Sequence, residues 1–351
     1  MTAIKNKVKK IILAEPRGFC AGVNRAIDIV DIALDLYSPP IYVRHEIVHN
    51  HHVVKDFEER GVIFIEDLDE VPDNAKLIFS AHGTSPDTLA KAKARGLEFI
   101  DAVCPLVTKV HLEIKKALKA KCKVIYIGHR GHQEVLGAMG YSETKIDMGQ
   151  KTYSQKFNPD QDIYLVESVE DVIQLEQVIG DKESIVATQT TLSLNDTEMI
   201  IAKLKELFPR LHLPKSEDIC YATTNRQDAV AELVKLVDYV LIIGSKNSSN
   251  TLRLLELAQA LGKESQLVPD PENFIVDQGL YGKTIGISSG ASAPEFLVDA
   301  LIAKLFQDPE YQYSKGSDKK YEDQIEILNF KEEKVSFPLP KEVYGEKMYL
   351  R

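Results

Sequence analysis

No stretch of this 351-residue chain is apolar for long enough to cross a bilayer as a helix. Lys5, Lys7, Lys9 and Lys10 precede only the short run IILA, too brief for a secretory leader. Basic charge is in deficit: 43 Lys and Arg face 53 Asp and Glu, a formal net charge of −10. That balance argues against non-specific nucleic-acid binding and against a polybasic membrane patch, while leaving room for a local cationic pocket. Cysteine is scarce, and its four unevenly placed copies suit a reducing cytoplasm better than a disulfide framework. There is no GxxxxGKS/T loop and no strand-linked GxGxxG, which weakens a nucleotide reading. No long Gly/Ser-rich or Pro-rich linker divides the chain.

What is present is alternation. Apolar runs lie at 9–14, 40–44, 62–65, 76–81, 123–128, 162–166, 184–188, 239–244, 265–268 and 284–288, nearly all followed by Gly, Ser, Thr or His and then an amphipathic segment. This is the pattern of an α/β fold with mostly parallel strands buried on both faces. The length suits two or three domains. Three units of similar grammar, each associated with one helix-opening cysteine, are expected: 9–103 with Cys20, 104–216 with Cys104 and 217–306 with Cys220. Residues 307–351 read as a surface-packed C-terminal extension with little chemistry.

Each of these cysteines opens a stretch of helical periodicity. The apolar positions are Ile27, Val30, Ala33 and Leu34 behind Cys20, Val110, Ile114 and Leu118 behind Cys104, and Ala229, Leu233 and Leu236 behind Cys220. A thiol at a helix N-terminus is easier to ionise, and thiolates bind soft metals and iron–sulfur clusters. The three are too far apart in sequence to form one local finger. Cys122, in KCKVIYIGH at the start of a strand, reads as a small core hydrophobe.

Open α/β sheets bind ligands beyond the carboxyl ends of their strands, and polar clusters recur there. IYVRHEIVHN holds His45 and His49, FSAHGTS holds His82, and GHRGHQE holds His129, His132 and Glu134. ATQTTLS supplies Thr188, Thr190 and Thr191, GSKNSSN supplies Ser248, Ser249 and Asn250, and SSGASAPE supplies Ser292. Hydroxyl, amide and imidazole donors beside Gly suit a phosphate or diphosphate. Singly, Ser, Thr and Asn before a helix are more often N-caps, and a lone His is more often structural. His45 and His49 stand in HEIVH, which has the HExxH order of a zinc protease, but the spacing alone is a weak signal. The combination carries the signal.

In order along the chain, PRGFCAGV, RHEIVHN, SAHG, CPLVTKVH, TQTTLS, ICYATTNRQ and GSKNSSN resemble the motifs of the 4-hydroxy-3-methylbut-2-enyl diphosphate reductase family. The similarity runs from residue 9 to residue 306 and weakly into KVSFPLPKE. That family carries out the last step of the methylerythritol phosphate route to isoprenoids. The resemblance implies three pseudo-symmetric α/β domains around a 4Fe-4S cluster held by Cys20, Cys104 and Cys220, one iron having no protein thiolate. It implies that His49, His82, His132, Ser248, Ser249, Asn250 and Ser292 grip the diphosphate. Glu134 would relay a proton, and Thr190 would position the substrate hydroxyl. The implied reaction removes that hydroxyl reductively, giving isopentenyl and dimethylallyl diphosphate, with electrons from a ferredoxin or flavodoxin.

The corresponding expectation is a cytoplasmic monomer acting on a small-molecule diphosphate, with no nucleic-acid or membrane partner. Gln133 stands where many relatives carry Pro, residues 142–162 and 307–325 read as surface insertions, and His45 and His129 read as structural. Two rival readings stay open. A metal-dependent phosphohydrolase needs bridging Asp or Glu residues, and the motifs offer mainly hydroxyls and amides. A non-enzymatic iron–sulfur sensor gives no reason for Glu134, Thr190 and the diphosphate-type donors.

Overall fold

The computed structural model describes residues 7–143, 157–214, 216–308, 321 and 323–343. The expected insertions fall partly outside the described residues, at 144–156 and at 309–320 with 322. The first stretch of chain forms β1 (Lys10–Glu15), α1 (Ala21–Leu36), β2 (Ile41–Arg44), α2 (His51–Glu59), β3 (Val62–Ile65), β4 (Lys76–Phe79), α3 (Pro86–Ala94) and β5 (Glu98–Asp101). Then come α4 (Pro105–Lys119), β6 (Lys123–Ile127), α5 (Gln133–Met139), β7 (Ile163–Val166), α6 (Val169–Ile179), β8 (Ser184–Thr188), α7 (Leu194–Leu207) and β9 (Leu211–His212). The last stretch gives α8 (Tyr221–Leu233), β10 (Tyr239–Ile243), α9 (Ser249–Ala260), β11 (Ser265–Val268), β12 (Thr284–Ser289), α10 (Phe296–Phe306) and β13 (Ile325–Asn329).

Three all-parallel sheets result, ordered β11-β10-β12-β1-β13, β3-β2-β4-β5 and β7-β6-β8-β9. The ordering rule repeats. A first strand pairs with a second on one side and a third on the other, and a fourth strand covers the third. In the five-stranded sheet the fourth place is taken by β1, and β13, from the C-terminal stretch, adds beyond it. The chain divides into two compact units. Met1–Val23, His49–Val53 and Tyr221–Ser336 hold the five-stranded sheet, and Asn24–Val48, Val54–Cys220 and Phe337–Arg351 hold the other two.

Central strands bury both faces. Every residue of β10 and β12 after the first is buried, whereas the edge strands β11 and β13 alternate or stay exposed. One face of the five-stranded sheet sets Ile11, Leu13, Ile285 and Ile287 against Leu297, Leu301 and Leu305 of α10. The other sets Ile12, Val240 and Ile242 against Ala229 and Leu233 of α8 and Leu254 of α9. Each such fully buried aliphatic side chain contributes about 1.5–3 kcal/mol. Leu236, placed by its spacing on the apolar stripe behind Cys220, lies past the end of α8 and is exposed, because the helix stops at Leu233.

In the second unit the loop after β4 meets α5 at main-chain contact. Gly83 has φ +89°, and a Cβ there would lie 2.8 Å from Cε1 of His111. A Cβ at Gly137 of α5 would lie 3.2 Å from the same atom and 3.4 Å from the Gly83 carbonyl. His111 of α4, 7% exposed, fills the seam between them and meets Tyr141 edge-on at 5.2 Å. Burial alone lowers its pKa to about 4, since a charged imidazole would lose its water there.

The sign follows from linkage. Between pH 6.5 and pH 4 the unfolded chain binds a proton at His111 that the folded chain does not, so stability falls as the medium is acidified. Each pH unit in that window is worth about 1.4 kcal/mol, up to roughly 3 kcal/mol in all. Urea unfolding across pH 4–7 is therefore expected to show a shallower acid loss in His111→Gln than in the wild type. An unchanged slope would mean that other groups set it.

Candidate active site

The strand order decides where the polar motifs fall. His49 follows β2 and His82 follows β4; His132 and Glu134 follow β6, and Thr190 follows β8; Ser248, Ser249 and Asn250 follow β10, and Ser292 follows β12. These are the carboxyl ends of the first and third strands of each sheet, the switch points at which such sheets bind ligands. The fourth strands lead to the cysteines: β1 to Cys20, β5 to Cys104 and β9 to Cys220. In all three sheets the cysteine amide donates to a carbonyl in the loop beyond the third strand. Cys20 N–H reaches Ala291 O at 3.2 Å, Cys104 reaches Ala81 O at 3.0 Å and Cys220 reaches Thr190 O at 3.1 Å.

Each of the three immediately precedes a helix, and none of the four cysteines is disulfide-bonded. Partly exposed, unbridged thiols at helix N-termini are the donor set that a soft metal cluster takes. Among the described residues, no group of three or more His, Cys, Asp or Glu is gathered that could hold a metal ion. Cys122 differs. It sits before β6 at the edge of a core cluster rather than inside it. Its Sγ is 3.9 Å from Glu183 Oε2, and burial, then the Glu183 carboxylate, push its pKa up.

Within the second unit a run of contacts links two cysteines. Cys104 bonds Ala81, whose neighbour His82 sets its ring edge-on to His132 at 6.0 Å between centroids. His132 caps α5, its Nδ1 accepting from the Glu134 amide at 3.2 Å. Glu134 is 4% exposed, and both its carboxylate oxygens accept from Thr190 at 2.9 Å, Oε2 from the amide and Oε1 from Oγ1. The carbonyl of Thr190 in turn accepts from Cys220. Beneath, Tyr126 is fully buried, and desolvation with the charges of Glu134 and Asp218 raises its pKa well above the usual phenol value.

In the first unit the donors are held ready. Ser248 caps α9, its Oγ accepting from the Thr251 amide at 3.4 Å and lying 3.0 Å from Thr251 Oγ1. Asn250 Oδ1 accepts from the Ala291 amide at 2.8 Å, and its Nδ2 donates to Thr223 Oγ1 at 3.3 Å. Ser292 Oγ donates to His49 O at 2.9 Å. Ser248, Ser249, Asn250 and Ser292 are all buried. Capping does not exclude anion binding, since a helix start that needs a cap also presents amide donors and a positive dipole end.

The extra histidines engage the protein. His45 has φ 60° and its Nδ1 lies 2.7 Å from Glu66 Oε2, while the His129 amide donates to Gln189 Oε1 at 3.0 Å. Sequence reasoning missed Asp218, Thr223 and Asn50. Asp218 Oδ2 accepts from the Thr188 amide at 3.1 Å, and burial raises its pKa against the opposing pull of Lys109. Thr223 and Asn50 stood inside ICYATTNRQ and RHEIVHN, yet nothing in those motifs said which polar residue faces its neighbours. Asn50 caps α2, its Oδ1 accepting from the amides of His52 and Val53 at 3.0 and 3.3 Å.

Fold and site together define a three-sheet α/β protein whose strand-end loops present thiols, imidazoles, hydroxyls and buried carboxylates. The chain belongs to the LytB protein family, which it matches over residues 11–306. It is 50% identical over 334 residues to a 4-hydroxy-3-methylbut-2-enyl diphosphate reductase of Haemophilus influenzae, covering 95% of this chain and 98% of the relative. It is 51% identical over 296 residues to the protein of that name in Actinobacillus pleuropneumoniae serotype 7, covering 84% and 89%. Among solved structures it resembles E-1-hydroxy-2-methyl-but-2-enyl-4-diphosphate reductase from Plasmodium falciparum, with a TM-score of 0.82, 35% identity and coverage of 98% and 99%.

The loops after β10 and β12 close on Thr251, and Gly290 has no room for a side chain. A Cβ there would lie 2.0 Å from Thr251 Oγ1. Gly290→Ala is expected to cost about 1–3 kcal/mol in chemical unfolding. The Gly290→Ala, Thr251→Ala pair should lose less than the sum of the single losses, as clashing neighbours do. Strict additivity would show that the two do not meet.

Proposed function

We propose that this protein reduces 4-hydroxy-3-methylbut-2-enyl diphosphate to isopentenyl and dimethylallyl diphosphate. The substrate gives up its hydroxyl as water, taking two electrons and two protons. Membership of the LytB family supports the reaction, and the observation that carries the site assignment is the buried Glu134 carboxylate, held through both oxygens by Thr190. Cys20, Cys104 and Cys220 would hold a 4Fe-4S cluster. When bound, it would supply the electrons and an electrophilic iron. A ferredoxin- or flavodoxin-type carrier would recharge it.

The protein's own groups have separable tasks. His49, His82, His132, Ser248, Ser249, Asn250 and Ser292 bind the diphosphate, with the N-terminus of α9 adding its amides and dipole. Anchoring that remote charge orients the reacting end. Thr190 Oγ1 both donates and accepts, so it can hold the substrate hydroxyl while staying bonded to Glu134. With Oε1 protonated, Glu134 would donate to Thr190 Oγ1, whose own proton passes to the departing oxygen, turning a poor leaving group into water. Because Glu134 is buried, its carboxyl keeps one orientation. Among the described residues no helix is long and apolar enough to cross a membrane.

Glu134→Gln places an amide nitrogen against one of two Thr190 donors and removes the proton. It is expected to bind the diphosphate within a few-fold of wild type and to lose about 10²–10⁴ in kcat, read by anaerobic turnover with a reduced carrier and by equilibrium dialysis. Normal turnover would remove Glu134 as the proton relay. The cysteines divide likewise: Cys104→Ser should lose its iron, while Cys122→Ser, with a thiol disfavoured as thiolate, should keep it. Equal loss in both would undo the assignment.

A further inference from the structure

The helix behind each candidate ligand carries a cation: Arg25 five residues after Cys20, Lys109 five after Cys104 and Arg226 six after Cys220. Such residues would ordinarily form a solvated face. Here each donates to main-chain carbonyls just ahead of a different cysteine. Arg25 Nη1 reaches Val103 O at 3.0 Å, the residue before Cys104. Lys109 Nζ reaches Ser216 O at 3.2 Å, Glu217 O at 2.9 Å and Asp218 Oδ1 at 3.1 Å, all shortly before Cys220. Arg226 Nη2 reaches Gly18 O at 2.9 Å, two residues before Cys20. The pattern closes on itself.

We propose that Arg25, Lys109 and Arg226 are positioning residues for the cysteine loops, each fixing the loop of the next cysteine in the cycle Cys20, Cys104, Cys220. Its meaning for function rests on the reading of these cysteines as cluster ligands. Two physical needs are met at once. Strand-end carbonyls that have left the ladder gain a charge-assisted donor. Positive charge at Arg25 would also favour a thiolate at Cys104. Arg25 is within electrostatic reach of the Cys104 thiol.

Each cation is balanced. Arg25 has Asp101 and Glu342 nearby, Lys109 pairs with Asp218 at 3.1 Å, and Arg226 pairs with Glu333 at 3.1 Å. Arg226 is fully buried, so its partner is required rather than incidental. Arg25 Nε also donates to Pro338 O at 2.8 Å, and Asn225 Nδ2 donates to Glu333 at 3.0 Å. The C-terminal stretch that carries Glu333, Pro338 and Glu342 thus serves two of the three contacts.

The test is peptide-resolved hydrogen exchange on the full-length apoprotein, followed by iron content after anaerobic reconstitution. Lys109→Met should speed exchange in the peptide covering 216–220 by roughly tenfold and leave the peptide around its own Cys104 unchanged. Arg25→Met should do the same to 101–104 and spare the Cys20 loop. Lys109→Arg and Arg25→Lys should restore slow exchange, and the Met variants should reconstitute with less iron. Arg226→Met is the third arm; if that buried change prevents folding, the two partly exposed cations decide.

Exchange that is unchanged, or that rises evenly along the chain, would overturn the proposal, the latter because it reports general stability alone. Full iron in Cys104→Ser would instead sink the ligand reading while leaving the exchange pattern standing. Iron lost in Cys104→Ser with no shift in exchange in the Met variants would sink only the positioning.

Discussion

Three main-chain hydrogen bonds, one from each cysteine amide to the loop beyond the neighbouring strand, set each cysteine against a ligand-facing loop of its own sheet. In the second sheet the bond continues the ladder: Ala102 N–H meets Phe79 O, and two residues on Cys104 N–H meets Ala81 O. A single such bond is worth only about 1 kcal/mol net. Its weight lies in register, since a strand that slips by one residue turns its side chains to the opposite face. The parallel pairing of β4 with β5, and of β12 with β1, therefore fixes which thiol stands beside which switch-point loop. The same arrangement occurs three times, so one packing solution serves all three thiols.

The chemistry is divided by kind of donor. The loops after β2, β4, β6, β10 and β12 supply the imidazoles, hydroxyls and amide proposed for the diphosphate, with no carboxylate among those residues. A chain of net charge −10 can hold an anion this way because neutral donors and helix ends act at short range, whereas the overall charge is screened over about 8–10 Å. The carboxylate proposed for proton transfer, Glu134, is held in place by two bonds from Thr190.

Much of this was legible in the sequence because strand ends are punctuated by Gly, Ser, Thr and His, and the cysteine-to-helix transitions stand out. The long central strands were readable as apolar runs. Three short edge strands were not: β5 reads EFID, β9 is two residues long and β13 is mostly exposed, so none shows a buried run. Nor could spacing reveal that β1 shares a sheet with β10 to β13, since that pairing joins opposite ends of the chain. Arg25, Lys109 and Arg226 were hidden for a different reason. A cation on a helix is usually solvated, and only tertiary structure shows that Arg226 has no exposed surface. Glu333 was likewise passed over within a charged tail.

The central claim, that three thiols hold a four-iron cluster that meets the diphosphate, is tested most directly by counting iron and acid-labile sulfide on anaerobically purified protein. Visible and electron-paramagnetic-resonance spectra would be recorded with and without 4-hydroxy-3-methylbut-2-enyl diphosphate. About four irons and four sulfides per chain are predicted, with a spectrum that changes when the diphosphate is added. Failure to form a cluster on anaerobic reconstitution, or zinc in its place, would contradict the account.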